Sequence, residues 1–385
     1  MACGDNDPLR PYDASGELSI SPGNGSRQVD PDDRIRIEAK DDQKITDVVV
    51  SDPVGRIIRG RLSEDRKIWH SASPLGAGVD YTVRVRGRDG DGNPGHGVFA
   101  FSTARKGRML RVVLGPTGKT YGVGQPVTAR LSEAVKGSAA RSLVESGLQV
   151  TSRPSAPGRW HWMDDRTLHY RPEHYWPPHA TISVESKLYG LKIRDGLYGG
   201  PDHGITFRTG DRIEALVDAG THRMTVSKNG KVLRTIPVTT GKPGFETRNG
   251  IKVVLARQEV VRMTGRSIGI SPGSADDYDL MVRWAVQVTH SGEYVHAAPW
   301  SQSAHGFANV SHGCTGMSME AAEWFYRLVR PGDIVEVVNS SGEMMPPFGN
   351  GFGDWNVPWE KWGRKTVDAE KVSAGKSAAR LSPGT

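Results

Sequence analysis

The stretch Ser311-His312-Gly313-Cys314 places a thiol directly behind an imidazole and a glycine, and the only other cysteine of the chain is Cys3. Two cysteines cannot build a disulfide framework. A free thiol, with a pKa of about 8.5, is only a few per cent ionised at neutral pH, so chemistry at Cys314 calls for a histidine partner. Three histidines are candidates. His312 is adjacent, but neighbouring side chains on an extended segment point to opposite sides. His305 lies in a loop rich in Gly, Ala and Asn and is expected to be exposed. His296, at the end of a strand, is the better base. A Cys–His pair of this kind does acyl transfer through a thioester. A structural cysteine beside chance histidines is the alternative that the residues leave open.

The elements around this stretch are readable. "RMTVSKNGKVLRTIPV" predicts a hairpin, because Asn229-Gly230 supplies the positive φ angles of a type I′ turn. "RWAVQVTHSGEYVHA" predicts another, turning at Ser291-Gly292, with Tyr294 and His296 on one face of the return strand. A helix follows Cys314. Ser318 is its N-cap, Glu320 sits in the first turn, Ala322 and Phe325 with Leu328 or Val329 form its apolar side, and Pro331-Gly332 stop it. On that reading Cys314 and Gly313 lie near a positive helix end, a setting that favours thiolate and could hold an oxyanion.

Upstream, short alternating runs such as "RIRIEA", "YTVRVRG", "ATISVES" and "ITFRTG" predict half-buried strands. "RKIWHSASPLGAGVDYTVRV" from Arg66 is echoed by "RTLHYRPEHYWPPHATISV" from Arg166, and "FAFST" by "ITFRT". Two copies of about 100 residues fit a pair of immunoglobulin-like β-sandwiches. The fold class is therefore mainly β: sandwiches over 15–104 and 105–211, then a β-rich module over 212–340 with a short helix after the cysteine. Residues 1–14 form a linker and 363–385 a disordered tail. Residues 341–362 carry Trp355, Trp359 and Trp362, spaced to fall together on a short helix that packs back on the preceding module. The histidines at 161, 169, 174 and 179 show no metal-ligand spacing, and Trp160, Trp162 and Tyr170 are expected to fill a core. No metal is expected.

The net charge is +7, yet no Lys/Arg block is interleaved with aromatics, so nucleic acid is not an expected partner. A basic surface suits an anionic wall polymer or lipid. No run of about 18 apolar residues would cross a membrane. The opening Ala-Cys-Gly followed by polar residues resembles the end of a bacterial lipoprotein signal, with Cys3 as the lipid-bearing residue. The expected location is then the cell envelope, anchored to the outer face of the cytoplasmic membrane.

"YVHAAPWSQSAHGFANVSHGCTGMSMEAAEWFY" resembles the signature of the L,D-transpeptidases with the YkuD-type catalytic domain: a histidine, some fourteen to seventeen residues, then Ser/Thr-His-Gly-Cys. The resemblance extends to the "TGKPGFET" loop, the "GDWNVPWEKW" tail and the two upstream sandwiches, as in large actinobacterial lipoprotein members. It implies a peptidoglycan L,D-transpeptidase making 3→3 cross-links between diaminopimelate residues of stem peptides, with no cofactor. It implies Cys314 as nucleophile and His296 as base, oriented by the carbonyl of Ala297. Gly313 and Cys314 amides with Tyr278 would hold the oxyanion. His312 and Ser311 would shape the donor site, and Met263, Tyr278 and Trp300 would line the substrate entrances. Carbapenems, among the β-lactams, are the implied inhibitors. Many relatives carry Asn or Arg where Gly316 stands, which leaves acceptor and donor preference open. Two other readings are an L,D-carboxypeptidase, where water resolves the thioester, and a non-catalytic wall-binding protein.

Overall fold

The structure, a computed structural model, describes residues 11–363; Cys3 and nearly all of the expected tail lie outside that range. The chain divides into two compact units. The first comprises residues 1–112, 131–148 and 186–203. Its main body is a sandwich. A five-stranded sheet (Tyr12–Asp13, Pro94–Ser102, Asp80–Arg88, Lys44–Ser51, Ile57–Ile58) faces a four-stranded one (Leu18–Ser21, Arg36–Ala39, Ile68–Ser71, Gly60–Leu62). Alternation decides what lies between them: Tyr81, Val83 and Val85 point inward with Phe99 and Phe101 of the paired strand, and Ile35, Ile37 and Trp69 close the core. Each such fully buried side chain contributes about 1.5–3 kcal/mol.

Within the described residues the second unit comprises 113–130, 149–185 and 204–363. Part of it repeats the sandwich plan. Val112–Gly115, Val127–Leu131, Thr167–Pro172 and Gly158–Trp162 form one sheet, and Thr120–Tyr121, His203–Thr209, Thr181–Ser186 and Leu148–Arg153 another. Trp160 and Tyr170 are buried there in an edge-to-face pair with ring centroids 5.3 Å apart.

The rest of the second unit holds the site. Its strands are β1 (Ile213–Asp218), β2 (Arg223–Lys228), β3 (Lys231–Pro237), β4 (Gly250–Val253), β5 (Ala256–Thr264), β6 (Asp279–Gln287), β7 (Tyr294–Ala297), β8 (Thr315–Met317) and β9 (Ile334–Val338). One helix, α1, spans Met319–Leu328. One sheet runs β3-β2-β1-β9-β4 and the other β5-β6-β7-β8. Both sheets and α1 share one core: Ala215, Val217, Met224 and Val226 meet Val286, Val295 and Met317, with Ala322 and Phe325 from the helix. The β2–β3 hairpin turns at Asn229 (φ 50°) and Gly230 (φ 82°), as the sequence predicts. The Ser318 hydroxyl caps α1, accepting the Ala321 amide at 3.3 Å.

The tail differs from the single helix expected. Asp354–Asn356 make one 3₁₀ turn, and a second turn carries Trp359 and Trp362. The Asn356 side chain brackets the backbone of Ile251, accepting its N–H and donating to its carbonyl at 2.8 Å each. All three tryptophan rings converge on the Arg171 guanidinium, at 4.8, 5.5 and 4.4 Å.

Candidate active site

β7 and β8 run parallel, with Val295 opposite Thr315 and His296 opposite Gly316. Continuing that register sets Cys314 beside Tyr294, so Cys314 and His296 lie on one face of neighbouring strands, a diagonal step apart. His296 is buried. Its Nδ1 donates to the carbonyl of Ala297 at 2.8 Å, and Trp300 stacks over the ring with centroids 6.0 Å apart. A carbonyl can only accept, so the proton sits on Nδ1 and Nε2 is the bare nitrogen. Burial pushes the imidazole down to about 4.

The Cys314 thiol is half-buried and its nearest acceptor is the Gly292 carbonyl, 3.5 Å from Sγ. Burial pushes it up to about 11, despite a bond from the Tyr294 amide. The helix-end setting expected from the sequence is not what the fold provides. Thr315 to Met317 are extended, because they pair with β7, and α1 begins only at Met319. With a strand in between, no helix dipole favours the thiolate. Burial thus favours the uncharged form of both groups, a neutral thiol and a neutral imidazole.

The loop before Cys314 is held by the segment after β3. Thr239 pairs with Gly316, and Gly241 with Ser311. The Thr247 hydroxyl accepts the Gly241 amide and donates to the Gly313 carbonyl, both at 2.9 Å. Gly313 stands at φ +110°, a conformation that a side chain at this position would resist. Ser311 Oγ donates to the Cys314 carbonyl at 2.6 Å and accepts the Gly313 amide at 3.2 Å. That amide is thus already engaged within the loop.

His312 makes its contacts with other side chains. It lies against Phe245 (4.7 Å, edge-on) and Tyr278 (5.0 Å), with Nε2 3.6 Å from Asp276. Asp276 is itself paired with Lys242 at 2.5 Å, which lowers its pKa. Burial raises the Tyr278 hydroxyl to about 12, with the nearby Cys314 adding to the effect. Trp300 is 53% exposed and can meet a ligand with one face. Met263 sits half-buried on β5 opposite Leu280, where Tyr278 leads into β6. His305, expected to be exposed, is buried, because the loop folds into a 3₁₀ segment (Pro299–Ala304) whose Ser301 lies 3.4 Å from its Nε2.

Sequence reasoning missed Thr247, Asp276, Lys252 and Glu293. The signal for the last two was available: a lysine inside the apolar run "GIKVV" and an acid directly before a buried strand.

Residues 212–337 match the family model of the L,D-transpeptidase catalytic domain (YkuD), and 26–192 that of a bacterial Ig domain. L,D-transpeptidase 2 of Mycobacterium tuberculosis (strain CDC 1551 / Oshkosh) is 35% identical over 347 residues, 90% of this chain and 84% of the relative. The chain belongs to the L,D-transpeptidases. L,D-transpeptidase 5 of M. tuberculosis (strain ATCC 25618 / H37Rv) is 32% identical, covering 94% of this L,D-transpeptidase and 79% of the relative. Among solved structures, an L,D-transpeptidase in complex with imipenem superposes with a TM-score of 0.52 at 35% identity, covering 60% of this chain and all of that one. L,D-transpeptidase 3 of M. tuberculosis with a faropenem-derived adduct gives 0.50 at 32% identity, covering 59% and 98%. The enzyme class is that of an acyltransferase, on an immunoglobulin-like and mainly β framework.

Proposed function

We propose that Cys314 is the nucleophile and His296 the general base of a two-step acyl transfer on peptidoglycan stem peptides. The observation that carries this reading is the Nδ1 bond to Ala297, which leaves Nε2 bare on the face that Cys314 shares. In the first step the thiol proton passes to Nε2 as sulfur attacks the carbonyl that joins the third residue of a tetrapeptide stem to its terminal D-alanine. The C–N bond breaks, D-alanine leaves with that proton on its amine, and a thioester remains. In the second step the side-chain amine of a second stem's diaminopimelate attacks the thioester. Nε2 takes the amine proton and returns it to sulfur, giving a 3→3 cross-link and the free thiol. The Cys314 amide and Tyr278 hydroxyl would hold the tetrahedral oxyanion, Ser311 and His312 would shape the donor side, and Trp300 and Met263 would border the entrances. The chemistry draws on no cofactor.

Solved relatives in complex with imipenem and with a faropenem-derived adduct support β-lactams as ligands, with Cys314 the group that they would acylate. The test is intact mass after incubation with a carbapenem. The parent should gain one acyl adduct, and Cys314→Ser none; an adduct on the serine variant would remove Cys314 from the role. Product masses with and without an amine acceptor then separate cross-linking from hydrolysis.

The reading also places the enzyme outside the cytoplasmic membrane, held there by lipid on Cys3. The net charge of +7 suits an anionic wall. Cys3→Ala should move the protein from the membrane fraction to the soluble one; unchanged membrane association would refute the anchor.

A further inference from the structure

A pair of opposite charges is buried beside the thiol, and the acyl transfer described above makes no use of it. Lys252 on β4 is 1% exposed and Glu293, just before β7, 5%. Lys252 Nζ lies 2.7 Å from Glu293 Oε2. The other carboxylate oxygen receives the Arg248 amide at 3.1 Å and its guanidinium at 3.2 Å. The Glu293 backbone is pinned as well: its N–H donates to Thr289 Oγ1 at 2.9 Å and its carbonyl accepts the Val288 amide at 3.0 Å. The turn fixed in this way contains Gly292, at φ +98°, and the Gly292 carbonyl is the acceptor 3.5 Å from Cys314 Sγ. Stability gives no reason for such a pair, since a buried ion pair generally does no better than well-packed apolar residues of similar volume.

We propose that Lys252 and Glu293 are positioning residues for Cys314: the pair holds the Gly292 carbonyl against the thiol and sets opposing charges beside the sulfur. The inference rests on Cys314 being the reacting group. Glu293 acts on the sulfur more strongly than Lys252, with the opposite sign. The other groups that share this field are Arg248, which acts on Lys252, and the Tyr278 and Tyr294 hydroxyls, both raised by burial and by Cys314. His296 stands on β7, and His312 with Lys242 and Asp276 on the segments opposite. Glu293→Gln takes the charged partner from Arg248 but leaves an amide oxygen to accept its bonds, and neither exchange replaces any of the other groups.

The experiment follows the rate of Cys314 alkylation by iodoacetamide against pH, by intact mass, in the full chain carrying Cys3→Ser so that one thiol reacts. Glu293→Gln should lower the midpoint by about one pH unit and Lys252→Met should raise it by about one unit. Shifts of both variants in the same direction, or no shift in either, would overturn the proposal. Should a single variant fail to fold, Lys252→Met/Glu293→Gln removes both buried charges together, leaving only the more exposed Arg248 without its carboxylate. It should keep the parent midpoint while its acylation by a carbapenem slows about tenfold; acylation at the parental rate would count against positioning. A parent that no carbapenem acylates would sink the acyl-transfer reading, whereas the alkylation midpoints would still decide this one.

Discussion

Nδ1 of His296 is bonded to the carbonyl of Ala297 at 2.8 Å, and this single contact leaves the ring's lone pair on its other nitrogen. With the imidazole held near 4 and the thiol near 11, neither partner is charged across the physiological range. Acylation by a carbapenem should therefore be level from about pH 5 to 9 and fall about tenfold per unit once His296 is protonated, below pH 4. His296→Ala should cost about 10²–10⁴ in that rate. A rate that rose with a midpoint near 8.5 would mean an ordinary solvent-titrated thiol instead.

Gly316 does not leave a hole where many relatives are expected to carry a longer side chain. A Cβ there would sit 2.9 Å from Ala298 Cβ and 3.0 Å from Thr239 Cγ2. Gly316→Asn should thus cost about 1–3 kcal/mol of stability by overpacking, read as a lower melting temperature, with Ala298→Gly recovering part of it. A stable Gly316→Asn enzyme would show that the two strands give way.

Thr247 reaches the site through one hydroxyl, which accepts from Gly241 and donates to the Gly313 carbonyl. Thr247→Val keeps the shape and removes both bonds. It should lower the acylation rate about tenfold, in line with the loss of two hydrogen bonds at about 0.5–1.5 kcal/mol each. Thr247→Ser should stay near the parent.

Asp333 is fully buried, and one of its oxygens accepts the Arg330 amide at 2.8 Å while Oδ1 has no partner among the described residues. Burial raises its carboxyl to about 7. A folded pKa above the unfolded value of about 3.8 means that the protonated form is the one the fold prefers. Its contribution is complete below pH 3.8 and is lost as pH rises through 7, by on the order of 4 kcal/mol. Asp333→Asn, which keeps the accepting oxygen, should raise the melting temperature at pH 8.5 and change little at pH 4. Equal effects at both values would contradict the buried neutral acid.

Local signals in the sequence were sufficient for the β2–β3 turn at Asn229-Gly230, the Ser318 cap and the apolar face of α1, because each depends on a few consecutive residues. Spacing and family resemblance single out Cys314 and His296, and the register of β7 and β8 sets them on one face of neighbouring strands. What failed were statements that need pairing partners. Cys314 was placed at a helix end because Thr315-Gly316-Met317 is too short a run to announce a strand; only β7 makes it one. The composition of its loop makes His305 read as exposed, and Lys252 and Glu293, 41 residues apart, are joined only by the tertiary fold.

Arg171 shows the same limit on a larger scale, since its partners lie nearly two hundred residues downstream. Its Nη2 donates to the Val357 carbonyl at 2.6 Å, its Nη1 to those of Pro172 and Glu173 at 3.2 and 3.3 Å, and Trp355, Trp359 and Trp362 surround the guanidinium. Burial lowers it to about 10, still charged at neutral pH. The planar fork makes these contacts together, and an ammonium cannot. Arg171→Lys should therefore destabilise the second unit by about 2–4 kcal/mol, from lost hydrogen bonds and cation–π contacts. Tryptophan emission should shift to the red as the three rings meet water. If Arg171→Lys melts and fluoresces like the parent, the tail is held by apolar packing alone, and Arg171 is a bystander among the rings.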